Sequence, residues 1–149
     1  MRKTFLPFHI PSISETEIQE VTQTLKDGWI TSGPRVKKFE ELFAAFVEAE
    51  HAVALNSCTA ALHLGLEALG VVPGDEVIVP AMTFAAAAEV VLHLGAKPVF
   101  CDVDSESLLM TPDNIEREIT GKTRAILPVH HSGLVCDIEG MRAVIGGDD

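Results

Sequence analysis

Basic residues are scarce in this sequence, and their scarcity excludes two kinds of partner. Eleven Lys and Arg stand against 22 Asp and Glu, which leaves a formal net charge of −11. Such a charge repels a phosphate backbone or an anionic membrane surface over about a Debye length, roughly 10 Å at 0.1 M salt. We therefore expect neither nucleic acid nor a membrane among the partners of this chain.

Cysteines are few as well. The three that are present, Cys58, Cys101 and Cys136, are widely spaced, odd in number and form no CxxC pair. This pattern indicates neither a disulfide framework nor a thiolate zinc site. Reduced thiols are typical of the cytoplasm, so we expect a cytoplasmic protein.

Long hydrophobic runs are also missing. The longest, residues 81–92, is interrupted by a threonine and a glutamate and is shorter than the roughly 18 to 20 residues that span a bilayer. A basic start followed by apolar residues has some likeness to a signal peptide, but Pro7 and Pro11 interrupt it and no small-residue cleavage site follows. We expect no membrane-spanning helix and no secretion signal.

The composition is that of a folded protein. With 47% apolar and 22% charged residues in 149, the sequence fits one domain and neither a disordered chain nor a fibre. We predict a single domain over residues 1–149. It comprises a helical segment over 1–50, βαβ units over 51–145 and a tail over 146–149.

Two amphipathic helices are predicted in the first 50 residues. Ser14 and Glu17 form a capping box, apolar residues follow at helical spacing, and Gly28 offers a left-handed stop, which predicts a helix over 15–27. Pro34 is suited to the first position of a second helix, which runs to about Ala49.

From residue 52 onwards, short β-type runs alternate with helical ones, which is typical of βαβ units. The predicted strands are Ala52 to Leu55, Glu76 to Val79, Pro98 to Val103 and Arg124 to Val129. The predicted helices are Thr59 to Leu69, Phe84 to Leu94, Pro112 to Ile119 and one after Asp137. Near-continuous apolar strands indicate a mostly parallel sheet covered on both faces, hence a three-layer α/β/α fold. Parallel strands bring their carboxyl ends to one edge, where ligands usually bind.

The best candidate site at that edge is the segment from Asn56 to Leu62, between a predicted strand and helix. The first turn of a helix has unpaired N–H groups and the positive end of the dipole, and Ser57 and Thr59 add hydroxyl groups, so a phosphate could bind there without a lysine. The alternative is that Asn56, Ser57 or Thr59 merely caps the helix. Spacing alone does not decide between them.

Three further features bear on the site. Phe84 follows the next strand, where its ring could stack on a flat cofactor or simply pack in the core. His130 and His131 are adjacent, so they point to opposite faces of an extended chain and match no common zinc spacing; we expect no metal. The GxGxxG, GxxxxGK[ST] and GxSxG motifs are absent, which removes the support for a dinucleotide fold, a P-loop or a serine hydrolase.

The order of these segments resembles the amino-terminal part of the DegT/DnrJ/StrS sugar aminotransferases, which are fold-type I enzymes that use pyridoxal 5′-phosphate (PLP). The segments that carry the resemblance are Gly28-Trp29-Ile30-Thr31-Ser32-Gly33-Pro34, Asn56-Ser57-Cys58-Thr59-Ala60-Ala61-Leu62, Pro73-Gly74-Asp75-Glu76-Val77-Ile78-Val79-Pro80 with Thr83-Phe84, Gly95-Ala96-Lys97-Pro98-Val99-Phe100, and Pro128-Val129-His130 with Gly133. The resemblance implies an incomplete version of the PLP-transferase large domain.

The resemblance also implies an activity, amino transfer from glutamate to a keto sugar attached to a nucleotide. Thr59 and Ala60 match phosphate-binding positions, Cys58 lies beside them, and Phe84 matches the ring that stacks on the cofactor. The segment 29–33 matches one near an active site formed between two subunits. A homo-oligomer, in particular a dimer, and a nucleotide-sugar ligand are therefore expected.

No catalytic residue can be named by the same comparison. In the family, the acid that pairs with the pyridine nitrogen, a phosphate-binding serine and the lysine that bonds to the cofactor all follow the part that this sequence matches. None of the six lysines, Lys3, Lys26, Lys37, Lys38, Lys97 and Lys122, matches the expected motif. We therefore expect a truncated family member that does not catalyse amino transfer alone, or alternatively a non-catalytic binding or assembly module that pairs with a full-length relative.

One consequence concerns the predicted strand Ala52 to Leu55. In the family this strand is separated from the next three by strands that this sequence does not contain. An open parallel edge exposes unpaired backbone groups and apolar faces. We expect either a homo-oligomer that covers the gap or a rearranged first strand.

Overall fold

The computed structural model describes residues 4–146; residues 1–3 and, apart from Gly146, the predicted tail lie outside the described residues. The chain divides into two compact units, Met1–Ala54 and Leu55–Asp149, near the predicted division between helical and βαβ segments. That the whole chain forms one domain stays a prediction. Over residues 4–146 no helix has the length and apolar character needed to cross a membrane.

The first helix, α1 (Glu15–Asp27), has the predicted bounds. The backbone N–H of Ser14 donates to Glu17 Oε2 over 2.6 Å and the Ser14 hydroxyl accepts from the backbone N–H of Thr16 over 3.3 Å, so the start of the helix is capped in both directions. Gly28 ends the helix in the left-handed conformation, with φ at 71°. The capping signals therefore predicted this element correctly.

The second helix, α2 (Pro34–Phe46), is three residues shorter than predicted. Glu48 adopts a positive φ of 55°, so the helix cannot continue to Ala49. Arg35 forms ion pairs with Glu20 and, over 3.6 Å, with Asp27, which joins the start of α2 to α1.

The second unit is built on a three-stranded parallel sheet, so the α/β prediction is confirmed. The central strand β1 (Glu76–Pro80) pairs with β2 (Lys97–Cys101) on one side and β3 (Thr123–Ile126) on the other. Four helices belong to this unit: α3 (Cys58–Ala68), α4 (Ala86–His93), α5 (Pro112–Glu116) and α6 (Ile138–Val144). A short 3-10 turn spans His131–Gly133.

The two faces of the sheet support two separate apolar layers. Val77 and Val79 of β1 pack with residues of α3 and α4, among them Val90. Ile78 lies between them in sequence and packs on the opposite face with residues of α5 and α6, among them Ile115 and Met141. Successive side chains of a strand point to opposite faces, so one strand contributes to both layers and the three-layer prediction is confirmed.

The predicted strand Ala52 to Leu55 is wrong. The segment has no strand pairing and carries exposed side chains, with Val53 77% exposed. The backbone N–H of Ala54 donates instead to Glu40 Oε1 over 2.8 Å. A strand exists only where a neighbour supplies hydrogen-bond partners, and no described strand pairs with this segment. Whether a homo-oligomer covers this region, or the strand is rearranged, stays a prediction.

Other elements end earlier than predicted. β3 ends at Ile126 rather than Val129, because Leu127 still donates to the carbonyl of Ile78 but Pro128 has no N–H to continue the ladder. β2 ends at Cys101 rather than Val103, and α5 ends at Glu116 rather than Ile119. The predicted elements were too long because the apolar runs in the sequence continue beyond the last backbone hydrogen bonds of each element.

Glu76, at the amino end of β1, is the one charged residue among those buried in the described part of the chain. Its carboxylate accepts hydrogen bonds from Thr120 Oγ1 over 2.6 Å and from Lys97 Nζ over 2.9 Å. These bonds, from Thr120 and then Lys97, hold the pKa of Glu76 below its ordinary value of 4.5. The network joins β1 to β2 and to the turn that precedes β3, at the edge opposite the ligand-binding edge.

We expect Glu76 to make stability depend on acid pH. Because its pKa is lower in the folded than in the unfolded state, its contribution is present above about pH 4.5 and is lost as the pH falls through the folded-state pKa. Glu76→Gln should flatten the acid limb of the free energy of unfolding, measured by urea titration between about pH 3 and 7. Glu116→Gln, a change at an exposed carboxylate, is the control; equal slopes in both variants would contradict this role.

Gly65 provides a test of helix propensity. It lies inside α3, and a Cβ built there meets no atom within 4 Å. Gly65→Ala should raise the free energy of unfolding by about 0.5–1 kcal/mol, as measured by urea denaturation. Gly70→Ala should lower it, since Gly70 has a φ of +74° and its Cβ would lie 3.3 Å from Arg124 Nη2. A destabilising Gly65→Ala would contradict the open surroundings of this position.

Candidate functional site

A cavity of about 400 Å³ lies where α3 and α4 begin and β3 ends. Its walls come from three segments: Cys58, Thr59 and Leu62 of α3; Thr83, Phe84, Ala86 and Ala87 at the start of α4; and Leu127, Pro128 and Val129 after β3. This is the edge at which the parallel topology predicted a ligand. The volume is in the range of small-molecule sites, about 300–1,000 Å³.

The start of α3 presents free backbone donors to this cavity. Ser57 caps the helix, since its side-chain oxygen accepts from the backbone N–H of Ala60 over 3.1 Å. Its carbonyl accepts from Ala61 over 3.1 Å. Among the described residues the N–H groups of Cys58 and Thr59 have no hydrogen-bond partner, so they remain available to a ligand.

The capping alternative and the phosphate site are therefore compatible. Ser57 acts as the cap, whereas Thr59, whose hydroxyl has no partner among the described residues, lines the cavity. An eleven-residue helix also directs the positive end of its dipole at this point. An anion at the mouth of α3 would meet N–H groups and a hydroxyl without competing with the cap.

Three of the four candidate residues from the sequence meet in one cavity. Cys58, Thr59 and Phe84 all line it, although 25 residues separate Thr59 from Phe84. Ala60 does not line it, and its N–H is bonded to Ser57. The binding roles of these four residues stay predictions.

The ring of Phe84 is exposed to solvent and is not packed in the core. The side chain is 81% exposed and stands just before α4, which begins without a side-chain cap. Core packing, the alternative considered for this residue, therefore does not describe its environment. An exposed aromatic ring at the rim of a cavity is suited to stacking on a flat ligand.

Several lining residues were not predicted from the sequence as binding residues. Thr83 is the polar one, and its signal was available, because a hydroxyl after β1 repeats the placement of Thr59 after the preceding segment. The apolar walls, Leu62 and residues 127–129, gave no such signal because they look like any core residues. No charged side chain of the described residues lines the cavity, so the start of α3 is its main electrostatic feature.

The three cysteines differ in environment. Cys58 is exposed at the start of α3, whereas Cys101 and Cys136 are buried in the layer beneath the sheet. Burial, with smaller contributions from the charges of Glu118 and Asp102, raises the pKa of Cys101 to about 11. Burial also raises the pKa of Cys136. At neutral pH both buried thiols are therefore protonated.

His130 has a structural role. Its Nδ1 accepts a hydrogen bond from the backbone N–H of Cys136 over 3.1 Å, which closes the loop after β3. Asp137 caps α6, because its side chain accepts a hydrogen bond from the backbone N–H of Gly140 over 2.9 Å. Within residues 4–146 no group of three or more His, Cys, Asp or Glu side chains is arranged to hold a metal ion.

These features agree with a match to a known protein family. A model of the DegT/DnrJ/EryC1/StrS aminotransferase family matches residues 11–147. The match includes both units and every candidate residue named above.

Individual relatives agree with the family match. The spore coat polysaccharide biosynthesis protein SpsC of Bacillus subtilis is 51% identical over 143 residues, which cover 96% of this chain and 37% of that protein. The Streptococcus pneumoniae protein Spr1654, assigned as a sugar aminotransferase and solved in its PLP form, has a TM-score of 0.89 and 47% identity over 93% of this chain and 36% of its own. An aminotransferase from Psychrobacter cryohalolentis has a TM-score of 0.88 and 36% identity, with 94% and 36% covered. The chain thus spans little more than a third of the length of these relatives.

Proposed function

The chain belongs to the DegT/DnrJ/EryC1/StrS aminotransferase family, and from that premise we propose that its cavity binds PLP. The phosphate lies at the first turn of α3 and the pyridine ring against Phe84. The observation that carries the proposal is the convergence of Cys58, Thr59 and Phe84 on one cavity of suitable size. Relatives solved in PLP and pyridoxamine 5′-phosphate (PMP) forms support it.

The phosphate end of the cavity fits a dianion despite the net charge of −11. The N–H groups of Cys58 and Thr59 and the Thr59 hydroxyl are available donors, and hydrogen bonds to charged groups contribute about 1.5–3 kcal/mol each. Within the described part of the chain no carboxylate lines the cavity, and acidic side chains farther away than about 10 Å are largely screened at 0.1 M salt. Local donors therefore outweigh the overall charge.

The remaining walls suit an aromatic ring. Phe84 offers a face for stacking, and apolar residues from Leu62 and the segment after β3 exclude water around it. PLP, when bound, supplies an electron sink for chemistry at an amino-bearing carbon. The residues of this chain bind its phosphate, orient its ring and keep the surroundings apolar.

The proposed parent activity is amino transfer from glutamate to a nucleotide-linked keto sugar, and we propose that a polypeptide of these 149 residues does not complete it alone. Among residues 4–146, no lysine lines the cavity. Lys97 begins β2, at the far edge of the sheet, and its ammonium group donates to Glu76. Without a lysine among the described lining residues, the covalent attachment that the family uses has no partner in this cavity.

The oligomeric state, the second ligand and the cellular location are part of the same proposal. A homo-oligomer, in particular a dimer, a nucleotide-sugar ligand and a cytoplasmic location are proposed, the last because all three cysteines are free thiols. The second candidate function is an assembly module that pairs with a longer relative. It is favoured by α1, on which no residue is buried and Ile18, Val21 and Leu25 are more than half exposed.

PMP is the sharpest probe of the proposed site, because it lacks the aldehyde that reacts with surface lysines. Isothermal titration should show PMP binding, weakened about ten- to hundredfold by Thr59→Val, which removes a donor to the phosphate. Phe84→Leu should weaken both PMP and pyridoxamine, which lacks the phosphate. Thr59→Val should leave pyridoxamine unaffected.

Thr22→Val, a change at an exposed threonine of α1, is the matched control and should bind PMP as the unchanged protein does. A second measurement is alkylation of Cys58, the exposed thiol, which bound PMP should slow. Equal PMP affinity in Thr59→Val and in the control would rule out the phosphate position proposed here.

The proposal also predicts an absence of turnover. With PLP, glutamate and keto-sugar nucleotides, this polypeptide should give no conversion above the rate of free PLP with glutamate, followed by the absorbance change of the cofactor. The reason is that no lysine side chain from the described residues lines the cavity. Sustained turnover by the chain alone would contradict the proposal of an incomplete catalytic site while leaving the binding site intact.

A further inference from the structure

Two histidines from neighbouring helices meet outside the cavity. His63 lies in α3 and His93 is the last residue of α4, and their ring centroids are 5.9 Å apart with an angle of 63° between the planes. His63 is half-buried and His93 is exposed, so the pair lies at the surface. Nothing in the proposed PLP site uses either side chain.

The ring nitrogens of both imidazoles are available as metal ligands. Within residues 4–146 neither ring takes part in a hydrogen bond or an ion pair, in contrast to His130, whose Nδ1 accepts from Cys136, and to His51, whose ring lies 3.5 Å from a Glu50 carboxylate oxygen. Neutral imidazole nitrogens are strong ligands for Zn²⁺, Ni²⁺ and Cu²⁺. A pair of free rings on rigid helices is therefore an available chelate.

The separation of the rings fits one shared ion. With metal–nitrogen distances of about 2.0–2.1 Å and tetrahedral angles, two imidazoles on one ion place their centroids roughly 5 Å apart. Closing the observed 5.9 Å to that value needs a change of about 1 Å, which side-chain rotation supplies.

We propose that His63 and His93 form a two-histidine site for a divalent transition metal such as Zn²⁺ or Ni²⁺, with water in the remaining positions. Glu67 and Glu89 lie four residues from the two histidines on the same helical faces and add negative potential, although neither is arranged as a third ligand. Two protein ligands make an exchangeable site with a preference for imidazole-binding metals over Mg²⁺.

A metal held there would join the two helices that begin at the cavity. Thr59 is one helical turn before His63, and Phe84 lies two residues before the start of α4. A ligand that binds the folded chain better than the unfolded chain stabilises it in proportion to the logarithm of ligand concentration. Metal binding should therefore raise the melting temperature, and it needs no PLP.

The test uses untagged, metal-stripped protein titrated with NiCl₂ or ZnCl₂ and followed by calorimetry and thermal melting. We expect one metal equivalent and a higher melting temperature, both reversed by EDTA, with no effect of MgCl₂. His63→Phe and His93→Phe keep an aromatic ring at each position but remove its nitrogens. Each should weaken metal binding about tenfold or more.

Three controls separate this site from other sources of the signal. His51→Phe removes an exposed imidazole from the other unit, and Cys58→Ser removes the exposed thiol; both variants should bind metal normally. In the unchanged protein, paramagnetic Ni²⁺ should broaden the ring resonances of His63 and His93 before those of other histidines, a measurement that needs no variant to fold. Unaltered binding in both phenylalanine variants, loss of binding in Cys58→Ser, or no saturable binding would overturn the proposal.

Discussion

The structure of the second unit depends on the burial and parallel pairing of one strand, β1. All five of its residues are buried, and its backbone pairs with β2 on one side and with β3 on the other. Because its side chains alternate between faces, this strand anchors the α3/α4 layer and the α5/α6 layer at once. Parallel pairing also sends the ends of all three strands to one edge, where the cavity forms.

Polar groups at the two edges of the sheet have different roles: those at the amino edge stabilise the fold, and those at the carboxyl edge are proposed to bind a ligand. At the amino edge a buried carboxylate, Glu76, is satisfied by Thr120 and by the only lysine in the three strands, Lys97. At the carboxyl edge the lining residues carry no charge, and the available donors are backbone N–H groups and threonine hydroxyls. Fixed dipoles of this kind suit a ligand that brings its own charge, because they need no counter-ion when the site is empty.

The helices α3 and α4 combine two proposed sites with different chemistry. The first turn of α3 supplies the donors proposed for PLP, and Phe84, just before α4, supplies the ring. The facing sides of the two helices bring His63 and His93 together. Both arrangements follow from the packing of these helices on the same face of β1. A change in the spacing of the two helices would therefore alter both the proposed PLP site and the proposed metal site.

Local signals in the sequence determined much of this fold: the capping box set the bounds of α1, and Val77, Ile78 and Val79 marked a strand buried on both faces. Family motifs also identified Cys58, Thr59 and Phe84, because those residue types occur in a recognisable order along the sequence. Tertiary structure alone decided two things: residues 52–55 form no strand, and His63 meets His93. Strand pairing and contacts between helices depend on groups distant in sequence, so no local pattern contains them.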